Sequence, residues 1–179
     1  MINVRNGVFE TNSSSCHSIV IKKCGGETPD KINPNWRVYD DGELYIYEDN
    51  IEFSRSPFDV LCNWYHKMCY AIASYKEEGF ERIESLVIKH VNKVKFIRLP
   101  QTWNEENERV PYYGYIDHQS MGLLENFLRK NNVSLEDFIF NDKYIVIIGG
   151  DEYCIFEKLQ DCGLLNKDAI EERMSAFDD

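Results

Sequence analysis

At 179 residues, with 43% hydrophobic and 13% aromatic residues, the chain has the length and composition of one globular domain, which excludes a disordered protein. No run approaches the ~18 consecutive apolar residues of a membrane-spanning helix, and the first residues lack the apolar core of a signal peptide. The formal net charge of −11 disfavours direct nucleic-acid binding, because it repels phosphate backbones.

These properties predict a cytoplasmic protein without a membrane partner or a cofactor. Its six cysteines are expected to be free thiols in a reducing compartment. The negative charge leaves two interpretations open. It either serves solubility alone or forms an acidic face directed at a basic surface of a partner protein.

In the N-terminal third, short strands are predicted at residues 8–9 and 19–21, on either side of a polar run. Residues 24–35 are rich in Gly, Pro and Asn, which predicts irregular structure. Residues 36–48 place two β-rich runs around Asp-Asp-Gly, which predicts a hairpin. This third of the chain is therefore predicted to form an antiparallel sheet.

The middle of the chain predicts two helices. Ser56 provides a capping hydroxyl and Pro57 a first helical residue, and apolar residues recur at helical spacing up to residue 78. Gly79 is predicted to end this helix, and residues 80–91 to form a second one.

The C-terminal half predicts a strand at 94–99, a long loop at 101–120, helices at 121–130 and 134–140, a strand at 143–148, and a short helix or strand at 153–162. Ser134 and Asp137 form a variant capping box. The strand at 143–148 is apolar almost throughout, so we expect it to be central and covered on both faces. The fold class expected is α+β, a single domain over residues 1–170 with an antiparallel sheet and several packed helices, and a frayed tail over 171–179.

Two polar runs are candidates for catalysis. The first, ETNSSSCHS at residues 10–18, does not pair Cys16 with His17 by adjacency, since neighbours on an extended chain point to opposite sides. The second is IDHQS at residues 116–120. If the two runs meet in space, they form a polar site for acid–base chemistry or a divalent metal, built from Glu10, Ser13, Ser14, His17, Asp117 and His118. The alternative is that both runs are turns whose polar side chains satisfy backbone groups.

A weaker metal hypothesis concerns Cys62, His66 and Cys69, whose spacing places them on one face of the predicted first helix. Three such ligands could bind zinc with a fourth from elsewhere, although the spacing differs from paired-cysteine zinc motifs. Ordinary core packing is the alternative interpretation.

The predicted loop at 101–120 combines aromatic with acidic residues. Tyrosine and tryptophan dominate the energetics of protein interfaces, and carboxylates favour a basic partner. The loop therefore predicts a partner-binding segment containing Trp103, Glu105, Glu106, Glu108, Tyr112 and Tyr113. The alternative is a loop that folds over its own core.

The string RNGVFETNSSSCHSIVI resembles a pattern in uncharacterised proteins of bacteriophages and other mobile elements, R-x-G-x-F-E-T-N-S-S-S-x-H-S before an apolar strand, and IDHQS resembles another part of it. The resemblance covers residues 5–18 most specifically. It implies family importance for Glu10, Asn12, Ser13, Ser14, His17, Asp117 and His118, whereas Cys16 stands where the pattern varies.

The resemblance also implies a genomic setting in which small acidic proteins inhibit host defence, anti-CRISPR proteins among them. Two functional hypotheses follow. The first is a counter-defence protein that binds a host nucleic-acid-handling protein in the bacterial cytoplasm, with a CRISPR effector nuclease as one candidate partner. The second is a hydrolase or transferase that uses the two polar runs.

Overall fold

A computed structural model gives the fold and describes residues 16–21, 36–53, 59–116, 123–149, 160–161 and 170–174. In chain order the strands are β1 (Cys16–Ile21), β2 (Glu43–Tyr45), β3 (Glu52–Phe53), β4 (Asp59–Leu61), β5 (Phe96–Arg98), β6 (Gln101–Trp103), β7 (Arg109–Pro111), β8 (Tyr115–Ile116), β9 (Tyr144–Gly149) and β10 (Ile170–Met174). The helices are α1 (Trp64–His90), α2 (Leu123–Asn131) and α3 (Leu135–Phe140), with a short 3-10 helix at Glu48–Asn50. The mixed α and β content expected from the sequence is confirmed.

The largest sheet has four antiparallel strands in the order β10-β1-β9-β4. Strand β9 is an inner strand, and its four consecutive residues from Ile145 to Ile148 are all buried. Because successive side chains point to opposite faces, burial of four in a row means that both faces are covered. The predicted central strand at 143–148 is therefore confirmed.

Helix α1 begins later than the sequence indicated. Residues Val60 and Leu61 pair with Ile147 and Val146 of β9, so the ladder holds them in a strand. The N-cap is Asn63, whose side chain accepts a hydrogen bond from the backbone N–H of His66 at 2.9 Å. The predicted start at residues 56–57 was wrong because strand pairing outweighed the local helix signal.

Helix α1 also contains a break, which lies at Lys76 and not at Gly79. Lys76 has φ 56° and ψ −143°, far from helical values, and divides the helix into two halves. Gly79 remains helical and buried, and a Cβ there would lie 2.4 Å from the Tyr75 Cβ. The prediction of two helical segments is thus right, while the residue that separates them was wrong.

The hydrophobic core lies between α1, the helices α2 and α3, and the strands. Helix α1 contributes fully buried residues from both halves, and α3 contributes Phe138 and Ile139. Each fully buried large apolar side chain stabilises the fold by about 1.5–3 kcal/mol. The cap of α3 follows the predicted box, because the Ser134 Oγ accepts from the Asp137 N–H at 2.9 Å and donates to its carboxylate at 2.8 Å.

The hairpin predicted at 36–48 forms around Gly42, which has φ +93° and donates its N–H to the Tyr39 carbonyl at 2.9 Å. Val38 bridges Leu44 across the turn. Beyond the turn, β2 pairs in parallel with β5, and β3 pairs in parallel with β8. The antiparallel sheet predicted for the N-terminal third was therefore wrong, because β2 and β3 pair in parallel with later strands and β1 pairs with β9 and β10.

Two further expectations need correction. The loop predicted at 101–120 contains an antiparallel hairpin, in which Gln101 lies opposite Pro111 and Trp103 opposite Arg109. The frayed tail predicted from residue 171 is instead paired as far as Met174, since β10 lies along β1 and gains backbone hydrogen bonds there. The predicted strand at 8–9, the irregular run 24–35, most of segment 153–162 and residues 175–179 lie outside the described residues.

Among the residues described above, no helix is both long enough and apolar enough to cross a membrane.

Candidate protein-binding surface

The hairpin of β6 and β7, hereafter the β6–β7 hairpin (residues 101–111), has a well-defined tip. The Asn104 N–H donates to the Glu108 carbonyl at 3.0 Å, and the Asn104 side-chain oxygen accepts from the N–H groups of Glu106 and Glu108 at 3.1 and 2.8 Å. Asn107 adopts φ 64°, which asparagine tolerates better than most residues. The tip is therefore held by its own backbone, which limits the entropy lost on binding.

Trp103 is the most exposed large hydrophobic residue among those described, with 60% of its surface accessible. The guanidinium of Arg109 lies 5.2 Å from the ring centroid of Trp103, within range of a cation–π interaction. This contact orients the indole but leaves most of it in solvent. An exposed, oriented tryptophan has the properties of an interface anchor.

Three glutamates, Glu105, Glu106 and Glu108, follow this tryptophan in the sequence, and all are exposed. Exposed carboxylates also occur elsewhere, for example at Glu77 and Glu78 on α1. Negative charge is thus not restricted to the hairpin. The distinguishing feature of the hairpin is that the charge accompanies an exposed aromatic ring.

Tyr112 and Tyr113 follow the hairpin and are half-buried against the core. The Tyr112 hydroxyl donates to the Glu52 carboxylate at 2.7 Å, and burial together with this carboxylate raises the pKa of Tyr112. The ring of Tyr113 packs edge-on against Phe80, with 5.7 Å between the centroids. These two predicted partner contacts are thus also structural, as expected for a segment that folds over its own core.

A pocket of about 300 Å³ lies at the base of the β6–β7 hairpin. Its walls come from α1, β5 and the hairpin, and the lining residues are Phe80, Phe96, Ile97, Arg98, Leu99, Gln101, Pro111 and Tyr113. Most of these side chains are apolar. A pocket of this size and polarity is suited to an apolar or aromatic side chain of a partner.

Arg98 is the charged residue of the pocket, and its side chain is 57% exposed. Its Nε donates to the Glu43 carboxylate at 2.6 Å, which fixes the guanidinium beside β2. On the other side of the same strand, the backbone N–H of Ile97 donates to the Glu84 carboxylate of α1 at 2.7 Å. Glu84 thereby satisfies a strand edge that would otherwise expose an unpaired donor.

Sequence reasoning identified the hairpin residues but missed the pocket. Phe80, Arg98 and Pro111 come from three elements, which the sequence predicted separately as a helix, a strand and a loop. Their meeting depends on the pairing of β2 with β5 and on the path of α1. Neither is visible in local sequence patterns.

Five of the six candidate catalytic residues lie in parts of the chain that the structure does not describe. Glu10, Ser13, Ser14, Asp117 and His118 lie outside the described residues. The backbone of His17 lies in β1, opposite Ile148 on one side and Met174 on the other. The hydrolase or transferase hypothesis therefore stays a prediction.

The three candidate zinc ligands do not share a helical face. Cys62 precedes the N-cap of α1, so it lies outside the helix that contains His66 and Cys69. Cys69 is fully buried, and burial raises the pKa of its thiol, which disfavours the thiolate that zinc requires. Among the described residues, no group of three His, Cys, Asp or Glu side chains is placed to hold a metal ion. Core packing is the interpretation that fits Cys69.

Comparison of the chain with protein-family models, with curated proteins and with solved structures found no match.

Proposed function

We propose that the chain is a single-domain counter-defence protein of a phage or mobile element, which binds and inhibits a nucleic-acid-handling protein in the cytoplasm of its bacterial host. The observation that carries the proposal is Trp103, a 60%-exposed indole on a hairpin whose tip is held by hydrogen bonds. A solvent-exposed tryptophan lacks the free energy that burial of its large apolar surface would provide, and this loss is greater than for almost any other residue. Binding to a partner buries that surface and provides the free energy.

The charge indicates the kind of partner. The net charge of −11 and the exposed Glu105, Glu106 and Glu108 favour a basic surface. Proteins that handle nucleic acids have such surfaces where the phosphate backbone binds. An acidic protein seated there would exclude DNA or RNA without binding either.

The N-terminal resemblance to phage and mobile-element proteins supplies the setting. A CRISPR effector nuclease is one host protein with a basic nucleic-acid channel, and it is our first candidate. The pocket beside the hairpin adds a second contact, because it can receive an apolar side chain of the partner while Trp103 enters the partner's surface.

Inhibition of purified nucleases tests the proposal. We expect DNA cleavage by a CRISPR effector nuclease to be blocked at a stoichiometric ratio of the chain, and the block to weaken as salt rises, since ionic contacts are screened. Catalytic inactivation of the nuclease at far lower ratios would indicate an enzyme. Absence of inhibition across a panel of host nucleases would contradict the proposal.

A matched pair of triple variants tests the role of the hairpin. Glu105→Gln, Glu106→Gln and Glu108→Gln together remove three charges from the tip, whereas Glu77→Gln, Glu78→Gln and Glu81→Gln remove three exposed charges from α1. The hairpin triple should weaken inhibition about tenfold and the α1 triple about twofold or less. Equal losses would show that the net charge matters and the hairpin does not.

A further inference from the structure

A second aromatic surface lies on the strand that pairs with β5. Side chains alternate between the two faces along β2 and the two residues that follow it. Leu44 and Ile46 are fully buried on one face, whereas Tyr45 and Tyr47 lie on the outer face. Tyr39 stands across the turn from them. We call Tyr39, Tyr45 and Tyr47 the tyrosine cluster. These rings lie on the outer face, where polar residues would be equally compatible with the fold.

The side chains of the cluster are connected through Tyr47. The rings of Tyr45 and Tyr47 meet edge to face, with centroids 4.8 Å apart and planes at 69°. The Tyr47 side chain also interacts with the Tyr39 side chain, and this interaction raises the pKa of Tyr39. Even so, Tyr39 is 41% exposed and Tyr47 is 47% exposed. The cluster is organised by its own contacts and leaves ring surface open to a ligand.

The segment that carries the cluster is acidic. Residues 36–50 contain five carboxylates, and Arg37 is the one basic residue of that segment. Two basic residues of the neighbouring segment also reach it, because Arg98 pairs with the Glu43 carboxylate and the Lys95 side chain lies against Gly42. The other four carboxylates of the segment are exposed and outnumber Arg37 and Lys95, namely Asp40, Asp41, Glu48 and Asp49. Open aromatic faces within negative potential favour a cation.

We propose that the tyrosine cluster binds the guanidinium group of an arginine side chain on a partner polypeptide. Arginine fits better than lysine, because its planar group stacks on a tyrosine face while its N–H groups reach a neighbouring carboxylate. A methylated lysine fits less well, since a quaternary ammonium gains most inside an enclosed cage, and these rings are about half exposed.

The cluster is continuous with the pocket. Tyr45 lies directly opposite Arg98 in the β2–β5 register, and Glu43 lies opposite Phe96. Arg98 and Phe96 both line the pocket. A basic peptide bound at the tyrosine cluster could therefore place its next residues at the pocket. The inference does not depend on the proposed function, because a peptide alone tests it.

The test uses three capped peptides that differ only in their side chains, each alternating glycine with arginine, lysine or citrulline. Calorimetry should show the arginine peptide binding at least about threefold more tightly than the lysine peptide, because only arginine stacks. The citrulline peptide, uncharged and nearly isosteric, should not bind. NMR should place the largest ring-proton shifts on Tyr45 and Tyr47. Equal binding of the lysine peptide, or shifts confined to other residues, would overturn the inference.

Two substitutions localise the site. Tyr47→Leu and Tyr45→Leu should each weaken binding of the arginine peptide about fivefold, since each removes one ring face. Ile88→Ala should leave it within about twofold, because Ile88 is an exposed residue of α1 and is not part of the cluster. Unchanged binding in both leucine variants would contradict the proposal, and the wild-type NMR map decides the matter if a variant does not fold.

The outcomes also separate this inference from the proposed function. If the chain binds the arginine peptide at the tyrosine cluster but inhibits no nuclease, the binding site is supported and the proposed function is contradicted. A chain that inhibits a nuclease through Trp103 but does not bind the peptide loses only the site.

Discussion

The ammonium group of Lys67 donates a hydrogen bond to the carbonyl oxygen of Asn141 at 2.6 Å, although only 1% of the lysine is exposed. The bond joins the first turns of α1 to the residue that caps the C-terminus of α3. Burial lowers the pKa of Lys67 to about 8, against the opposing influence of Cys62 and Asp142. A buried cation with one hydrogen bond is costly to the folded state.

This burial predicts a pH-dependent contribution to stability. Between pH 8 and 10.5 the unfolded chain binds more protons at Lys67 than the folded chain, so the unfolding free energy contributed by this group rises with pH. From pH 7.5 to 10 the gain is about 2 kcal/mol, given that one pKa unit corresponds to about 1.4 kcal/mol.

Comparison with Lys67→Met isolates the effect. Burial raises the pKa values of the Cys69 thiol and the Tyr65 hydroxyl, which also makes stability depend on pH, but this contribution is shared by both proteins. We measure the free energy of unfolding in denaturant for both proteins at pH 7.5 and at pH 10. Over this range the wild type should gain about 2 kcal/mol of unfolding free energy relative to Lys67→Met. A difference that does not change with pH would contradict the buried charge.

The break in α1 predicts an inverted preference for glycine over alanine. In an ordinary helix interior, alanine is more stable than glycine by about 1 kcal/mol. At Lys76, φ 56° favours glycine, and either substitution removes the bond that the Lys76 ammonium donates to the Gly114 carbonyl. We expect Lys76→Gly to be more stable than Lys76→Ala by about 1 kcal/mol in urea unfolding. The usual order of the two would show that α1 is continuous there.

Gly114 is predicted to be intolerant of any side chain. It has φ +73°, and a Cβ would lie 2.0 Å from the Ile51 carbonyl oxygen, which is backbone and cannot move aside cheaply. Gly114→Ala should therefore cost about 3 kcal/mol or more from strain and overlap. Gly42→Ala is the matched control, since it shares a positive φ but would meet the flexible Lys95 side chain at 2.7 Å and its nearest backbone atom, the Lys93 carbonyl oxygen, only at 2.9 Å. A smaller thermal destabilisation at Gly114 than at Gly42 would contradict the close approach.

The features that the sequence predicted correctly have strong local causes. The apolar run of β9 requires cover on both faces, and the box of Ser134 and Asp137 caps a helix within four residues. The turn at Gly42 is likewise local, because it needs one residue with positive φ.

The features that were missed or wrong depend on contacts distant in sequence. The local sequence predicts a helix at Val60 and Leu61, but pairing with β9 places both residues in a strand. The parallel pairing of β2 with β5 has no local sequence signal. The pocket follows from that pairing, whereas the tyrosine cluster lies within the hairpin predicted at 36–48. The candidate surface was therefore predictable at the β6–β7 hairpin, whose aromatic and acidic residues are adjacent in sequence, and unpredictable elsewhere.

Trp103 provides the most direct test of the proposed docking surface. Affinity for the inhibited nuclease should be measured by calorimetry for the wild type, for Trp103→Ala and for Ile88→Ala, a control that removes a 42%-exposed apolar residue from α1. We predict that Trp103→Ala weakens binding at least about tenfold without lowering the melting temperature, as for an interface hot spot, and that Ile88→Ala changes it by less than about twofold. Binding by Trp103→Ala within about twofold of the wild type would contradict the account.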